Sequence, residues 1–222
     1  MPEILYSDRS LCVAVKPSGV LSEPDGRSGG MPELLAAQLG GEVYTVHRLD
    51  RAVSGVMLFS RDSRVTGKLT AAVQAHEIGK EYFAILSGIP EAPTGELRDL
   101  LFRDAAKNKS YVVKRPRRGV REAVLRYELL SCAPDGDAQR SLVRIALETG
   151  RTHQIRVQFA SRGLPLLGDG RYGGKDSRCE VALFSHALTF RHPVSKKMLH
   201  FSAAPPDAFP WNLFPRELLE AQ

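Results

Sequence analysis

Few of the features that would place this 222-residue chain in a common class are present in it. Cysteine is scarce: Cys12, Cys132 and Cys179 are odd in number, far apart and without CxxC spacing. That argues against a disulfide framework or a thiolate zinc site and suits a reducing compartment, so a cytoplasmic location is expected. No apolar run approaches the roughly 18–20 residues of a spanning helix, and no membrane association is expected. Met1-Pro2-Glu3-Ile4 lacks the basic and apolar regions of a secretory signal. The six histidines (His47, His76, His153, His186, His192, His200) show neither HxxxH nor HxH spacing, so no metal site is expected. Ser54 lies near His47 but lacks a Gly-x-Ser-x-Gly elbow, which argues against acyl transfer. No Walker loop or dinucleotide-binding turn is expected.

What is present begins with charge. The chain carries 31 basic and 25 acidic residues. Between Arg103 and Arg121 lie eight of the basic residues (Arg103, Lys107, Lys109, Lys114, Arg115, Arg117, Arg118, Arg121) and one acid, Asp104, leaving 23 basic and 24 acidic residues elsewhere. The net positive charge is thus confined to one segment, the footprint expected of a polyanion-binding surface. A solvated basic loop with no partner would look the same.

The remaining pattern is mainly β. Leu11 to Val15 is a short apolar run ended by Lys16-Pro17-Ser18-Gly19, a strand and then a turn. Residues 22–30 read as a loop, and Pro32 opens a short helix with Leu34, Leu35 and Leu39 on one face, stopped by Gly40-Gly41. Val43 to Val46 looks extended, Val56 to Phe59 is a strand, a helix runs from about Ser63 to His76, and Tyr82 to Leu86 is a strand. Lys109–Lys114 and Ala123–Leu130 read as two strands joined by the basic cluster 115–119, followed by a strand at Ser141–Leu147. Thr152 is read as the N-cap of a helix reaching about Ser161 and stopped by Gly163. Val181–Leu188 and Lys197–Phe201 are late strands with His192-Pro193 between them. Strands joined by short loops indicate a one-domain α+β protein with a large, mainly antiparallel sheet.

Two segments place charge in apolar surroundings. Val46-His47-Arg48-Leu49-Asp50 leads into Ser54-Gly55 and an apolar strand. There Asp50 is either a positioned catalytic acid or a turn cap, or an ion-pair partner of Arg48 or Arg51. Glu148-Thr149-Gly150-Arg151-Thr152-His153-Gln154-Ile155-Arg156 is a strand end, a glycine turn and a helix start. Its donors suit an anion, either a phosphate or a carboxylate such as Asp50, or simply a solvated helix end. His47 and His153 are read as hydrogen-bonding braces rather than bases.

Together these segments resemble the signature motifs of the RluA-type RNA pseudouridine synthases. The matching residues are His47-Arg48-Leu49-Asp50 with Ser54-Gly55, and Gly150-Arg151-Thr152-His153-Gln154-Ile155-Arg156. Lys16-Pro17-Ser18-Gly19, Lys80-Glu81-Tyr82-Phe83-Ala84, Gly168-Asp169 with Tyr172-Gly173, His186-Ala187 and His192-Pro193 extend the likeness in order from about residue 4 to 204. Val53 and Gln158 depart from the family's usual Thr and His, beside the motifs rather than within them.

The resemblance implies the pseudouridine synthase catalytic fold: a mixed, mostly antiparallel central sheet with flanking helices and a central cleft. It implies one catalytic domain over residues 1–222, without an N-terminal S4 domain. Asp50 would be the catalytic aspartate, Tyr82 the aromatic stacked on the target base, and Arg156 the arginine paired with the aspartate. Arg48 would fill the space left by the flipped base. Arg51, Arg151, His153, Lys109, Lys114, Arg115, Arg117 and Arg118 are the remaining candidates for RNA contact.

The implied chemistry breaks N1–C1′, turns the uracil and rejoins it through C5, with no redox change or net hydrolysis. No cofactor or metal is required. A carboxylate in a dry pocket is pushed toward its neutral form, and an arginine partner opposes that. Hydrolysis of the glycosidic bond would instead need a second acid to activate water, and no obvious partner is present. The expected partner is structured RNA, ribosomal or transfer, bound by a monomer. A catalytically idle RNA-binding protein on the same fold is the alternative.

Overall fold

A computed structural model describes residues 1–26 and 29–220 of the chain. The expected loop over 22–30 is irregular where described, and its Arg27 and Ser28 lie outside the described residues. In chain order the elements are β1 (Glu3–Ser7), β2 (Leu11–Lys16), α1 (Met31–Leu39), β3 (Tyr44–Thr45), β4 (Ser54–Ser60), α2 (Ser63–Gln74) and β5 (Gly79–Ser87). They continue with β6 (Thr94–Asp104), β7 (Lys109–Val113), β8 (Val120–Asp135), β9 (Ala138–Leu147), α3 (Gln154–Ala160), β10 (Leu183–Arg191) and β11 (Met198–Ser202). The protein is α+β, with mostly antiparallel strand pairing and few helices. It comprises two compact units, Met1–Lys80 with Phe184–Pro205, and Glu81–Leu183 with Pro206–Glu220. Among the described residues no helix is long and apolar enough to cross a membrane.

In the first unit the strand order is β1-β2-β4-β10, with β3 on β4 and β11 on β10. The continuous apolar runs of β2 and β4 mark strands covered on both faces. Leu11, Val13, Val56, Leu58, Leu188 and Phe190 are buried there with Leu69 of α2. Asp62 caps α2 by accepting from the Arg64 N–H at 2.9 Å. The β4–β10 pair is parallel, with Ser54 opposite Phe184 and Gly55 opposite Ser185. Gly55 has φ +120°, and a Cβ there would lie 2.2 Å from the Ser185 carbonyl oxygen, so this approach requires glycine.

The second unit has the order β5-β9-β8-β6-β7, and each neighbouring pair in that order is antiparallel. Strand β6 is not anticipated by the sequence pattern, although Leu97 and Leu101 alternate inward against Glu96 and Arg98. Its presence changes the topology. The turn 105–108 brings β7 back onto β6, Phe102 opposite Tyr111, while β6 also pairs with β8, Phe102 opposite Val120. The connection 114–119 therefore passes the end of β6 instead of closing a hairpin between β7 and β8. The start of α3 also departs from the expected N-cap. His153, not Thr152, holds the cap position, in the left-handed region with φ 55° and without a side-chain cap.

Candidate active site

In the first unit, Asp50 lies in the irregular stretch between β3 and β4, half-buried, with its carbonyl accepting from the Val53 N–H at 3.0 Å. The flanking backbone is held from both sides. His47 is buried, and its Nε2 accepts the Leu58 N–H at 3.0 Å, which joins the stretch to β4. Burial, and secondarily the nearby charge of Lys80, pulls the His47 imidazole down to about 3. Ser22 Oγ donates to the Leu49 carbonyl at 2.8 Å and accepts the Leu49 N–H at 3.0 Å.

On the other side stands the Lys16-Pro17-Ser18-Gly19 turn. The fully buried Lys16 ammonium donates to the carbonyls of Pro17 (2.9 Å), Val20 (2.7 Å) and Arg51 (3.0 Å). Three N–H donors directed at three carbonyls satisfy a cation that would otherwise be costly to bury. The Gly19 N–H reaches the Arg51 carbonyl at 2.9 Å, and Ser18 Oγ donates to the Ala52 carbonyl at 2.9 Å. Asp50 thus projects from backbone fixed at Leu49, Arg51 and Ala52. In the sequence Lys16 stands out only as part of a motif; a charged residue ending an apolar strand is the signal for its clamping role. The two neighbours considered as ion-pair partners of Asp50 are engaged elsewhere. Exposed Arg48 pairs with Glu23 at 2.8 Å, and Arg51 Nε donates to the Gly19 carbonyl at 2.8 Å.

In the second unit, the 148–156 segment organises itself around Gln154. Its Oε1 accepts from Thr149 Oγ1 at 2.7 Å and from the Arg151 N–H at 3.0 Å, while Nε2 donates to the Val124 carbonyl at 3.1 Å. Arg151 Nε donates to the Glu122 carbonyl at 2.9 Å. Arg156 is buried and meets Asp169 in a fork, Nε to Oδ2 at 2.7 Å and Nη2 to Oδ1 at 2.8 Å. Asp169 has no solvent exposure, so either charge without the other would be strongly unfavourable. The motif containing Asp169 is visible in the sequence, but its pairing with Arg156 is not. Gly168 makes that loop possible: its φ is +78°, and a Cβ would sit 2.1 Å from the Glu180 carbonyl oxygen. The stretch Gly168-Asp169-Gly170-Arg171-Tyr172-Gly173 has dinucleotide-fingerprint spacing, but it is a loop, neither following a strand nor opening a helix.

Tyr172 gathers several predicted residues. Its Oη accepts the Ser110 N–H at 2.8 Å and bonds His153 Nδ1 at 2.9 Å. Lys109 Nζ and the Arg156 guanidinium lie 5.1 and 5.3 Å from its ring centre. Burial raises the Tyr172 hydroxyl above its usual value. Tyr82 lies on β5 opposite Ile145 and is 6% exposed. Lys114, Arg115, Arg117 and Arg118 are exposed on the connection between β7 and β8, whereas His153 is buried. Of the departures from the family pattern, Val53 is 1% exposed and packs in the interior, whereas Gln158, 0% exposed, donates through Nε2 to Asp99 Oδ2 at 2.8 Å and to the Leu97 carbonyl at 3.1 Å.

These features coincide with a known pattern. The description RNA pseudouridylate synthase matches residues 10–161, and the chain belongs to that family, in its RluA-type branch. RNA pseudouridine synthase YhcT of Bacillus subtilis is 32% identical over 205 residues, covering 89% of this chain and 66% of the relative. The dual-specificity RNA pseudouridine synthase RluA of Haemophilus influenzae is 29% identical, with 90% and 92% covered. Human RNA pseudouridylate synthase domain containing 1 shares the fold at TM-score 0.79 and 20% identity, covering 95% of this chain and 85% of that one. The chain therefore spans just under two thirds of the Bacillus relative and most of the Haemophilus one.

Proposed function

We propose that this chain isomerises specific uridines of structured RNA, ribosomal or transfer, to pseudouridine, acting as a cytoplasmic monomer. Asp50 is the catalytic carboxylate, Tyr82 stacks on the uracil, and Arg156 is the charge partner of Asp50. The observation that carries this reading is the held backbone around Asp50. A reacting carboxylate must be presented in one orientation, and the Lys16, Ser18, Ser22 and His47 contacts restrict the residues on both sides of it.

In the reaction the N1–C1′ bond breaks, C5–C1′ forms, and the C5 proton is ultimately exchanged for one on N1. An ionised Asp50 has two ways to begin: attack on C1′, or removal of the 2′ proton to give a glycal. Arg156 favours the ionised form in either case, and its fork to Asp169 fixes the plane of the guanidinium. Tyr82 also serves to relay the C5 proton. The target base leaves its stack at a cost of a few kcal/mol, with Arg48 filling the gap. Arg51 and Arg151 add contacts near the motifs, and Lys109, Lys114, Arg115, Arg117 and Arg118 hold phosphates in a sequence-independent way. His153, being buried, serves the RNA indirectly through Tyr172.

Tritium release from RNA labelled at uridine C5 tests the assignment. Wild-type protein is expected to release tritium and Asp50→Ala to release none. Unchanged release from the variant would remove Asp50 from the chemistry. Binding without release by the wild type, across ribosomal and transfer RNA, would leave an RNA-binding protein on the same fold.

A further inference from the structure

One face of the second unit's sheet has two halves of different character. Along β6, β8 and β9 it is a ladder of paired charges: Arg98 with Glu96 (3.0 Å) and Glu122 (2.9 Å), Arg126 with Glu148 (2.8 Å), and Arg144 with Glu128 (2.7 Å). Those arginines are neutralised by carboxylates. On the same face at the β7 edge, cations lie against aromatic rings. Tyr111 stands opposite Phe102 in the antiparallel register, which puts both rings on one side of the sheet. The Arg117 guanidinium lies 4.6 Å from the centre of the Phe102 ring, and Lys109 Nζ lies 5.7 Å from that of Tyr111. Tyr111 is exposed, although an outward tyrosine has no core to fill, while its neighbour Val112 packs the other way with Leu101, Ala123 and Val157.

Aromatic rings interleaved with arginine and lysine on an open strand suit the flat faces of unpaired bases, whose phosphates the cations meet. We propose that Tyr111 and Phe102, flanked by Lys109 and Arg117, form a stacking site for an unpaired nucleotide of the substrate RNA outside the target uridine. This rests on RNA being the partner and adds to the phosphate contacts a preference for single-stranded segments. A base-paired helix hides its base faces, so the site would discriminate between loop and duplex without reading sequence.

Anisotropy titrations with a labelled oligouridylate and with a fully paired RNA duplex of equal length test this. Tyr111→Ala is expected to weaken the oligouridylate on the order of tenfold while leaving the duplex and both salt slopes unchanged. Tyr111→Phe, which keeps the ring, restores binding. Arg117→Ala weakens both RNAs and lowers the salt slope by about 0.7–0.9. Placing 5-iodouridine in the oligouridylate and irradiating should give a crosslink at Tyr111 or Phe102. Equal loss on both RNAs, no loss on either, or a crosslink confined elsewhere would overturn the site, as would wild-type protein that does not bind oligouridylate. None of these readouts uses isomerisation. A protein that binds this way but releases no tritium would sink the enzymatic reading and leave the stacking site standing.

Discussion

His47 illustrates how a single residue can belong to a family signature motif and do structural work. Its Nε2 accepts a backbone N–H, which requires the neutral ring protonated at Nδ1, and burial holds the imidazole at about 3. In the unfolded chain a histidine titrates near 6.5, so between about 6.5 and 3 the unfolded state binds the extra proton. The contribution of His47 is therefore complete above about pH 6.5 and declines as pH falls toward 3. Urea unfolding followed across that window should show stability declining by up to about 1.4 kcal/mol per pH unit from this group. His47→Asn should be less stable at neutral pH but flatter with pH; equal slopes in the two proteins would show that His47 is not the linked group.

Elements place these residues by constraining backbone. The pairing of β4 with β10 at Gly55, and of β2 with β4, holds one end of the stretch carrying Asp50, and the pairing of β3 with β4 holds the other. In the second unit, the turn between β6 and β7 is tied down by Arg171, which donates to the Asn108 carbonyl at 2.8 Å, and by Ser110 Oγ, which donates to the Thr152 carbonyl at 2.6 Å. The basic connection that follows is exposed at Arg115, Arg117 and Arg118, so these charges are available to solvent and solutes. Reversing the charge of all three should weaken RNA binding and flatten its salt dependence by about 0.7–0.9 for each phosphate interaction removed. An unaltered slope would put the phosphate footprint elsewhere.

For the whole molecule, charge and family membership point to RNA, and comparing modified positions between cells identifies which RNA it is. Mapping pseudouridines across ribosomal and transfer RNA with and without the gene should reveal positions that lose the modification and regain it with wild type but not with Asp50→Ala. A map that does not change would contradict the proposed activity in that cell.

Local chemistry was legible where neighbouring residues decide the outcome. The strands at β2, β4, β5 and β9, the start of α2 and the order of the motifs could be read from the sequence, whereas α2 ends at Gln74, two residues before the expected His76. The confinement of positive charge to one segment was equally a property of the chain. Other features depended on partners distant in sequence. The alternation of β6 is interrupted because Asp99 falls on the side of Leu97 and Leu101 while Leu100 and Phe102 fall on the side of Glu96 and Arg98, so the strand and the path of the basic connection emerge only from pairing. The cap of α3 moved to His153 because Tyr172 holds its ring and Ser110 holds the Thr152 carbonyl. Locally Lys16 is the residue that ends an apolar strand before a proline, and only folding surrounds it with three carbonyls. Arg156 likewise finds Asp169 thirteen residues later, across a loop that a positive-φ glycine makes possible. The sequence by itself determined which chemical groups are available and in what order. Tertiary structure decided which of them are buried, paired and held, because burial and pairing depend on residues that only the fold brings within hydrogen-bonding distance.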